Sequence, residues 1–333
     1  MAANRMMALL IEEHGGPEVM RIAEVPVPEP GLGEVLVRME ACGLNFSDIM
    51  AREGRYLRET QLPHILGHEF CGIVDKLGPD CGGWSEGERV IGTSQAGGSL
   101  ADFIAAPAAK LSACPEGLSP PEGAALLVQG LTAVHLIDKA ARVQPGETVL
   151  VHAAAGGVGS LAVQVARVRG ARVIGTSSSD RKRRFIEELG GTAIDYTRGD
   201  WVEEVLSLTE GRGAEVILES VGGDVLDRSY REVLADFGRL VVYGVASGDV
   251  VNFNNYDILA SNKSLIGYWL GPHLAGYPDL VRAAQENLVA MVGSGDIRLI
   301  VGETFPLERA AEAFAHLQGR KSVGKVVVTS REG

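Results

Sequence analysis

The segment from Val149 to Gly159 constrains this chain more than any other. It reads Val-Leu-Val-His-Ala-Ala-Ala-Gly-Gly-Val-Gly, so a short apolar run ends in a turn of small residues. A helical pattern over residues 160–169 follows at once, and a second apolar strand is predicted at residues 172–176. Strand, glycine turn and helix in this order present free helix N–H groups that bind phosphate. The pattern therefore predicts a dinucleotide site.

The glycines of this turn have separate physical roles. Gly156 leaves room for a pyrophosphate to lie against the backbone, and Gly159 lets the helix pack close to the strand. Ala154 stands where the usual pattern has its first glycine, so the motif reads Ala-x-Gly-x-x-Gly. The residues expected to contact the pyrophosphate are Ala155, Gly156, Gly157 and Val158.

Composition excludes several classes of protein. A net charge of −12 argues against binding to nucleic acid, because counterion release requires clustered basic residues. No apolar run approaches the roughly 20 residues of a membrane span, and no signal peptide is evident. The four cysteines show no Cys-x-x-Cys spacing, which is typical of reduced thiols. We therefore expect a cytoplasmic protein without a membrane span.

The pattern of predicted elements changes along the chain. Short strands between glycine and proline turns predict a β-rich domain formed by residues 1–122 and 298–333. Between them, strands alternate with helices, which predicts a doubly wound parallel sheet over residues 123–297. The predicted strands of that sheet are 148–152, 172–176, 193–195, 215–218, 239–243 and 264–269, and the helices are 158–169, 181–189, 201–209 and 225–234. The fold class is thus α/β with two domains.

The end of the second strand of the sheet predicts which nicotinamide cofactor binds. An acidic residue at this point usually holds the ribose 2′-hydroxyl, but the strand ends here in Ser177 and Ser178. Asp180 is predicted to be a helix N-cap, and four cations follow it at 181–184. Cations at a helix N-terminus are unfavourable, and a 2′-phosphate would offset that cost. NADP is therefore favoured, although a solvated basic face is the alternative. The expected phosphate ligands are Ser177, Ser178 and Lys182, with Arg181 as a further candidate.

Several motifs occur in one order along nearly the whole chain. They are Ala-Cys-Gly-Leu-Asn-Phe-Ser-Asp at 41–48, Gly-His-Glu at 67–69, Gln-Gly-Leu-Thr-Ala at 129–133, the glycine turn, and Gly-Arg-Lys-Ser-Val-Gly-Lys-Val at 319–326. With these motifs the chain resembles the zinc-free quinone oxidoreductase branch of the medium-chain dehydrogenase/reductase superfamily. It is also similar to homologues of a synaptic-vesicle protein of that superfamily. The resemblance implies a GroES-like β-rich catalytic domain and a Rossmann domain.

The resemblance also implies roles for individual residues. Asn45, Asp48 and Tyr56 are expected in the catalytic site, where Asn45 would offer an amide N–H donor and Tyr56 an aromatic face with a hydroxyl. The alternatives are a structural turn role for Asn45 and simple packing for Tyr56. The further expected cofactor contacts are Gln129, Thr132, Tyr196, Ser220, Val221, Gly244, Val245, Ala246, Tyr268, Trp269 and Leu270.

Zinc-dependent relatives take a cysteine from the first of these motifs, a histidine from Gly-His-Glu and a later cysteine. Here Asn45 and Val128 stand at the two cysteine positions, and neither is a plausible zinc ligand. We therefore predict no metal. A weak site built from His68, Glu69 and Asp48 is the alternative, while the preferred interpretation is a histidine hydrogen-bonded to Asp48.

Without a metal, the acceptor must already be electron-poor. The sequence thus favours an NADPH-dependent reductase of quinones or conjugated carbonyls, with a small-molecule quinone or enone as substrate. The alternatives are a 2-enoyl thioester or alkenal double-bond reductase, and a low-turnover NADPH-binding adaptor of the vesicle-protein type. The strand at 264–269 is a candidate sheet edge, and the family's pairing of that edge predicts a homodimer.

Overall fold

The computed structural model describes residues 4–330, which form two compact units. The first contains the described residues up to Val128 and those from Leu299 onward, and the second is Gln129–Arg298. The sequence placed these divisions at 122/123 and 297/298. The segment after 122 goes with the first unit because it packs there. A Cβ added at Gly123 would lie 2.9 Å from the Cys71 sulfur.

The first unit is built mainly on antiparallel strand pairs, and its last two strands pair in parallel. Its strands are β1 (Arg5–Ile11), β2 (Arg21–Pro26), β3 (Glu34–Gly43), β4 (His64–Ile65), β5 (Glu69–Leu77), β6 (Arg89–Thr93), β7 (Phe103–Pro107), β8 (Leu111–Ala113), β15 (Val301–Pro306) and β16 (Lys325–Thr329). Its helices are α1 (Phe46–Arg52), α2 (Pro120–Gly123) and α11 (Ala310–Gln318). A three-stranded sheet has the order β2-β1-β4, and a seven-stranded sheet runs β15-β16-β3-β5-β6-β8 with β7 on β3.

Strand β3 organises this unit. It pairs with β5 along one edge and with β7 and then β16 along the other. Val35, Val37 and Met39 alternate along β3 and enter one apolar core, while Cys42 enters a second core with residues of α11. The end of β3 therefore lies between β5 and β16, and α1 begins three residues later.

The second unit is a parallel sheet with helices. Its strands are β9 (Thr148–Val151), β10 (Arg172–Ser177), β11 (Thr192–Asp195), β12 (Ala214–Glu219), β13 (Leu234–Val242) and β14 (Ser264–Gly267). Its helices are α4 (Gly157–Val168), α5 (Asp180–Glu188), α6 (Trp201–Leu208), α7 (Gly223–Arg228), α8 (Asn255–Ser261), α9 (Leu270–Gly276) and α10 (Pro278–Gly293), together with α3 (Leu127–His135), whose first two residues belong to the first unit. The strand order is β11-β10-β9-β12-β13-β14, so the loops after all six strands lie at one edge of the sheet. This confirms the predicted doubly wound fold.

The helix expected at 225–234 is present, as α7 and the π-helical turn Ser229–Val233 that continues it, and Leu234 already belongs to β13. One local prediction was wrong. Asp180 is not the N-cap of α5 but its first residue. The cap is Ser179, whose hydroxyl accepts from the Lys182 backbone N–H at 3.4 Å. Across residues 4–330, no helix has both the length and the apolar character needed to span a bilayer.

Candidate functional site

The glycine turn lies between β9 and α4. Ala153 adopts a left-handed backbone with φ of 51°, and its carbonyl accepts from the Gly156 N–H at 2.9 Å. A Cβ added at Gly159 would lie 2.4 Å from the Ala153 oxygen, so only glycine allows this close approach of helix and turn. Helix α4 therefore begins at Gly157 with small residues around its first N–H groups, which suits an anion.

The end of β10 holds a buried hydroxyl. The Oγ of Ser177 is buried and makes no hydrogen bond within the described residues. Ser178 follows it, and the Tyr196 N–H donates to the Ser177 carbonyl at 3.2 Å, so the ends of β10 and β11 lie together. The first turn of α5, with Lys182, starts two residues further on. The carboxyl ends of β10 and β11 and the first turn of α5 thus carry four of the predicted cofactor contacts: Ser177, Ser178, Lys182 and Tyr196.

The basic run after Ser179 is partly neutralised. Arg183 forms an ion pair with Asp180 and lies 3.5 Å from the Asp195 carboxylate, which is also 3.4 Å from Arg198. Hydrogen bonds from Thr197 and the two nearby arginines hold the pKa of Asp195 below its usual range. The cost of cations in this turn is therefore smaller than the sequence suggested.

The loops after β12, β13 and β14 lie at the same sheet edge. The Ala246 N–H donates to the Ser220 carbonyl at 2.9 Å, and the Tyr268 N–H to the Val242 carbonyl at 2.9 Å. The Tyr268 hydroxyl lies 2.8 Å from His135 Nδ1 at the end of α3. The predicted contacts placed on these loops are Ser220, Val221, Gly244, Val245, Ala246, Tyr268 and Trp269. Leu270 is the first residue of α9, and both Gln129 and Thr132 are buried on α3.

In the first unit, Asn45 lies at the centre of a buried polar network. The Lys325 ammonium donates to Asn45 Oδ1 at 2.7 Å and also to Glu69 Oε1. Asn45 Nδ2 donates to the same Glu69 oxygen at 3.0 Å and to the Gly43 carbonyl at 3.2 Å. The Val128 N–H donates to the other Glu69 oxygen at 2.9 Å. A Cβ at Gly43 would lie 2.6 Å from Lys325 Cε, so glycine makes the space for this cation.

This geometry corrects the role expected for Asn45. Both N–H bonds of its side chain point at internal acceptors, so it has no amide donor left for a substrate. The amide orientation is fixed because an ammonium has no acceptor and must face the oxygen Oδ1. Asn45 thus orients neighbouring groups. Its own backbone N–H donates to Asp48 Oδ2 at 2.7 Å at the start of α1.

Asp48, His68 and Tyr56 form a second cluster that shares Asp48 with Asn45. Asp48 is fully buried, and its Oδ1 lies 2.5 Å from His68 Nδ1. The Tyr56 ring lies 5.7 Å from the His68 ring between centroids. Burial alone would lower the pKa of His68, but the charge and hydrogen bond of Asp48 outweigh it, so that pKa is raised. The expected hydrogen bond between His68 and Asp48 is therefore present.

The carboxylates here are already occupied by internal donors. Both Glu69 oxygens and both Asp48 oxygens accept hydrogen bonds. Within the part of the chain that the structure describes, no three His, Cys, Asp or Glu side chains are grouped so as to hold a metal ion. A cation at the alternative site of His68, Glu69 and Asp48 would have to compete with these internal donors for the carboxylate oxygens.

The role of Lys325 was missed from the sequence. A signal was present: a single lysine begins the run Lys-Val-Val-Val-Thr of β16, whose first four residues are all buried. A lone cation on a buried strand requires a carboxylate partner, and that partner is Glu69.

Comparison with known proteins places this architecture in a family. Residues 31–116 match the alcohol dehydrogenase GroES-like domain, and residues 157–286 match the family described as zinc-binding dehydrogenase. The quinone oxidoreductase of Pseudomonas aeruginosa is 36% identical over 95% of this chain and 97% of its own length. A 2-haloacrylate reductase from Burkholderia is 33% identical over 97% of this chain and 98% of its length. The crystal structure of Escherichia coli quinone oxidoreductase complexed with NADPH has a TM-score of 0.89 at 33% identity, with 97% of this chain and 99% of that chain covered.

The chain belongs to the medium-chain dehydrogenase/reductase superfamily and, within it, to the quinone oxidoreductases. It is therefore an oxidoreductase.

Replacing Lys325 with methionine should destabilise the protein strongly. The Lys325→Met variant keeps the length of the side chain but leaves the buried Glu69 carboxylate without its cation, which typically costs about 3–5 kcal/mol. Urea unfolding should show this loss, and the double variant with Glu69→Gln should recover part of it. The matched control is Lys321→Met, since Lys321 is exposed. Equal stability of the Lys325 and Lys321 variants would contradict the assignment.

Proposed function

We propose that the protein is an NADPH-dependent reductase that transfers a hydride to quinones or conjugated carbonyls without a metal. The observation that carries the proposal is that the polar groups around Asn45 are hydrogen-bonded to one another. Asn45 stands at the position of a zinc ligand in zinc-dependent relatives, and its side-chain oxygen accepts from the Lys325 ammonium. Both oxygens of the neighbouring Glu69 carboxylate also accept internal hydrogen bonds.

The second unit suits NADP. NADPH would supply the hydride. The first turn of α4, at Gly156, Gly157 and Val158, would hold the pyrophosphate through its N–H groups. The buried Ser177 Oγ without a hydrogen bond fits a phosphate oxygen as acceptor, and Lys182 supplies positive charge on the next helix. The loops after β12, β13 and β14 would border the ribose and the nicotinamide.

An electron-poor acceptor removes the need for a Lewis acid. In a quinone or enone, the charge that develops on hydride addition reaches an oxygen through conjugation, so hydrogen-bond donors or water stabilise it. We assign Tyr56 to this task as an aromatic face with a hydroxyl, and Asn45 and Asp48 to positioning. Reduction of an activated alkene is the second candidate, which the 2-haloacrylate reductase relative supports.

A panel of acceptors tests this proposal. NADPH oxidation should be fast with 1,2-naphthoquinone, p-benzoquinone or an alkenal, and protein that retains well below one zinc per chain after mild chelation should be fully active. Preference for a crotonyl thioester would favour the 2-enoyl reductase. Tight NADPH binding without turnover of any acceptor would instead indicate an adaptor. Zinc that is retained in stoichiometric amount and required for turnover would contradict the metal-free assignment.

Lys182 should discriminate between the two nicotinamide cofactors. A charge-assisted hydrogen bond to phosphate contributes about 1.5–3 kcal/mol, so Lys182→Ala should weaken NADPH binding by roughly 10- to 100-fold. NADH, which lacks the 2′-phosphate, should change little. Fluorescence titration measures both constants, and Arg184→Ala, an exposed position on the same helix, is the control. Equal losses for both cofactors would show that Lys182 does not read the phosphate.

We also propose a homodimer. Strand β14 is the last strand of the six-stranded sheet, and the neighbouring helix α8 exposes Tyr256 and Leu259, each about three-quarters accessible. An open strand edge next to apolar side chains favours pairing with a second copy. Light scattering should therefore give a mass near twice 35.2 kDa. A mass near one chain at micromolar concentration would refute the dimer.

A further inference from the structure

We propose that His68 is the general acid that delivers the proton completing the reduction. This inference rests on the proposed function, because it concerns the step that follows hydride addition. Its basis is the geometry of the ring: Nδ1 is held at 2.5 Å by the fully buried Asp48, which directs the other ring nitrogen, Nε2, away from that carboxylate. The His68 side chain is 12% exposed and lies beside Tyr56, another residue of the proposed site.

A hydrogen bond to the backbone fixes the Asp48 carboxylate, which in turn orients the His68 ring. Its second oxygen, Oδ2, accepts the Asn45 backbone N–H at 2.7 Å at the start of α1. A carboxylate fixed on one oxygen can orient an imidazole through the other and stabilise its protonated form. Asp48 is therefore a positioning residue, and Asn45 couples it to the Lys325–Glu69 pair.

A purely structural role explains the buried Lys325–Glu69 ion pair poorly. Burying an ion pair costs desolvation that its attraction barely offsets, and apolar residues of similar size often serve stability as well. Perturbed charge pairs of this kind occur preferentially at functional sites. The two pairs, Lys325 with Glu69 and His68 with Asp48, together have no net charge when His68 is protonated, so the network favours the form that carries a proton.

The charges that face His68 favour the same form. Asp48 on α1 and Glu69 on β5 raise the pKa of His68, whereas burial and Arg58 lower it, and the result is a pKa above the usual value of 6.5. The neighbouring His64 on β4 has its pKa lowered to about 4 by burial, so it is neutral near pH 7 and adds no competing charge there. The charges around the ring thus favour the imidazolium form of His68, which is the form that carries the proton to be donated.

The step balances in atoms and charge. An enone that accepts a hydride at its β carbon becomes an enolate, with the electron pair shared between the α carbon and the oxygen. The Nε2–H bond of His68 breaks, its proton forms the new C–H bond at the α carbon, and the electron pair of the N–H bond stays on the neutral imidazole. Solvent then returns a proton to Nε2, while Nδ1 remains on Asp48.

Quinones and alkenals should depend differently on this acid. The product anion of a quinone is a stabilised phenolate, which can leave the site and take its proton from water. The anion of an alkenal is far more basic, so it reverts unless a proton is supplied in place. The effect of removing His68 should therefore be larger for the alkenal, and this difference separates acid catalysis from damage to the fold.

The test compares His68→Gln with wild type on both acceptors. General acid catalysis typically contributes at least about 100-fold, so kcat with the alkenal should fall by roughly that factor. The value with p-benzoquinone should fall less than about 10-fold, and the NADPH dissociation constant should not change. Wild-type kcat with the alkenal should be flat at low pH and fall as pH rises through the His68 pKa, a limb that His68→Gln should lack. Asp48→Asn should move that limb to lower pH.

Titration of the cofactor-free protein by NMR gives a readout independent of turnover. The His68 ring proton signals should titrate above pH 6.5 in wild type and lower in Asp48→Asn. His14→Gln, at an exposed histidine, is the control and should leave kcat, the pH profile and the His68 titration unchanged. Equal losses on the two acceptors, or a His68 that is neutral at pH 6, would overturn the proposal. Failure of the proposed function would look different, since the wild-type protein would then fail to oxidise NADPH with every acceptor tested.

Discussion

The ion pair between Lys325 and Glu69 is the contact on which the polar centre of the first unit depends. Both side chains are almost fully buried, so each charge is tolerable only because the other is present. Glu69 also accepts from Asn45 and from the Val128 N–H in the first turn of α3, which links three separate elements to one carboxylate. The orientation of Asn45, and through its backbone that of Asp48, follows from this pair.

A cation supplied by a side chain differs physically from one supplied by a metal. The Lys325 ammonium donates hydrogen bonds but has no open coordination position for a carbonyl oxygen, and within residues 4–330 it donates to Asn45 and Glu69. It can therefore orient Asn45 and neutralise Glu69 without polarising a substrate directly. The proposed acceptors fit such a centre, because their conjugation already lowers the barrier to hydride addition.

Local parts of this protein were predictable from sequence, and distant pairings were not. The glycine turn was predictable because it is formed by adjacent residues. Its helix packs so closely that no Cβ can stand at Gly159, and this requirement is visible in the sequence as a glycine. The alternating strands and helices likewise predicted the parallel sheet. Lys325 contacts Asn45 across 280 positions of sequence, and no periodicity encodes that contact. Asn45 was therefore expected to face substrate, whereas a distant lysine fixes its amide inward.

The same reasoning explains why His68 could not be interpreted from its motif alone. Gly-His-Glu occurs where zinc-dependent relatives place a ligand, so the residue type is compatible with metal binding and with proton transfer. A carboxylate on Nδ1 is compatible with both roles, because metal-ligating histidines commonly donate their other ring N–H to a carboxylate. Asp48 takes Nδ1 here, and the oxygens of Asp48 and Glu69 all accept internal hydrogen bonds, for which a cation would have to compete. In the proposed proton transfer, Asp48 orients the ring through Nδ1 and favours its protonated form, while Nε2 is the nitrogen that donates.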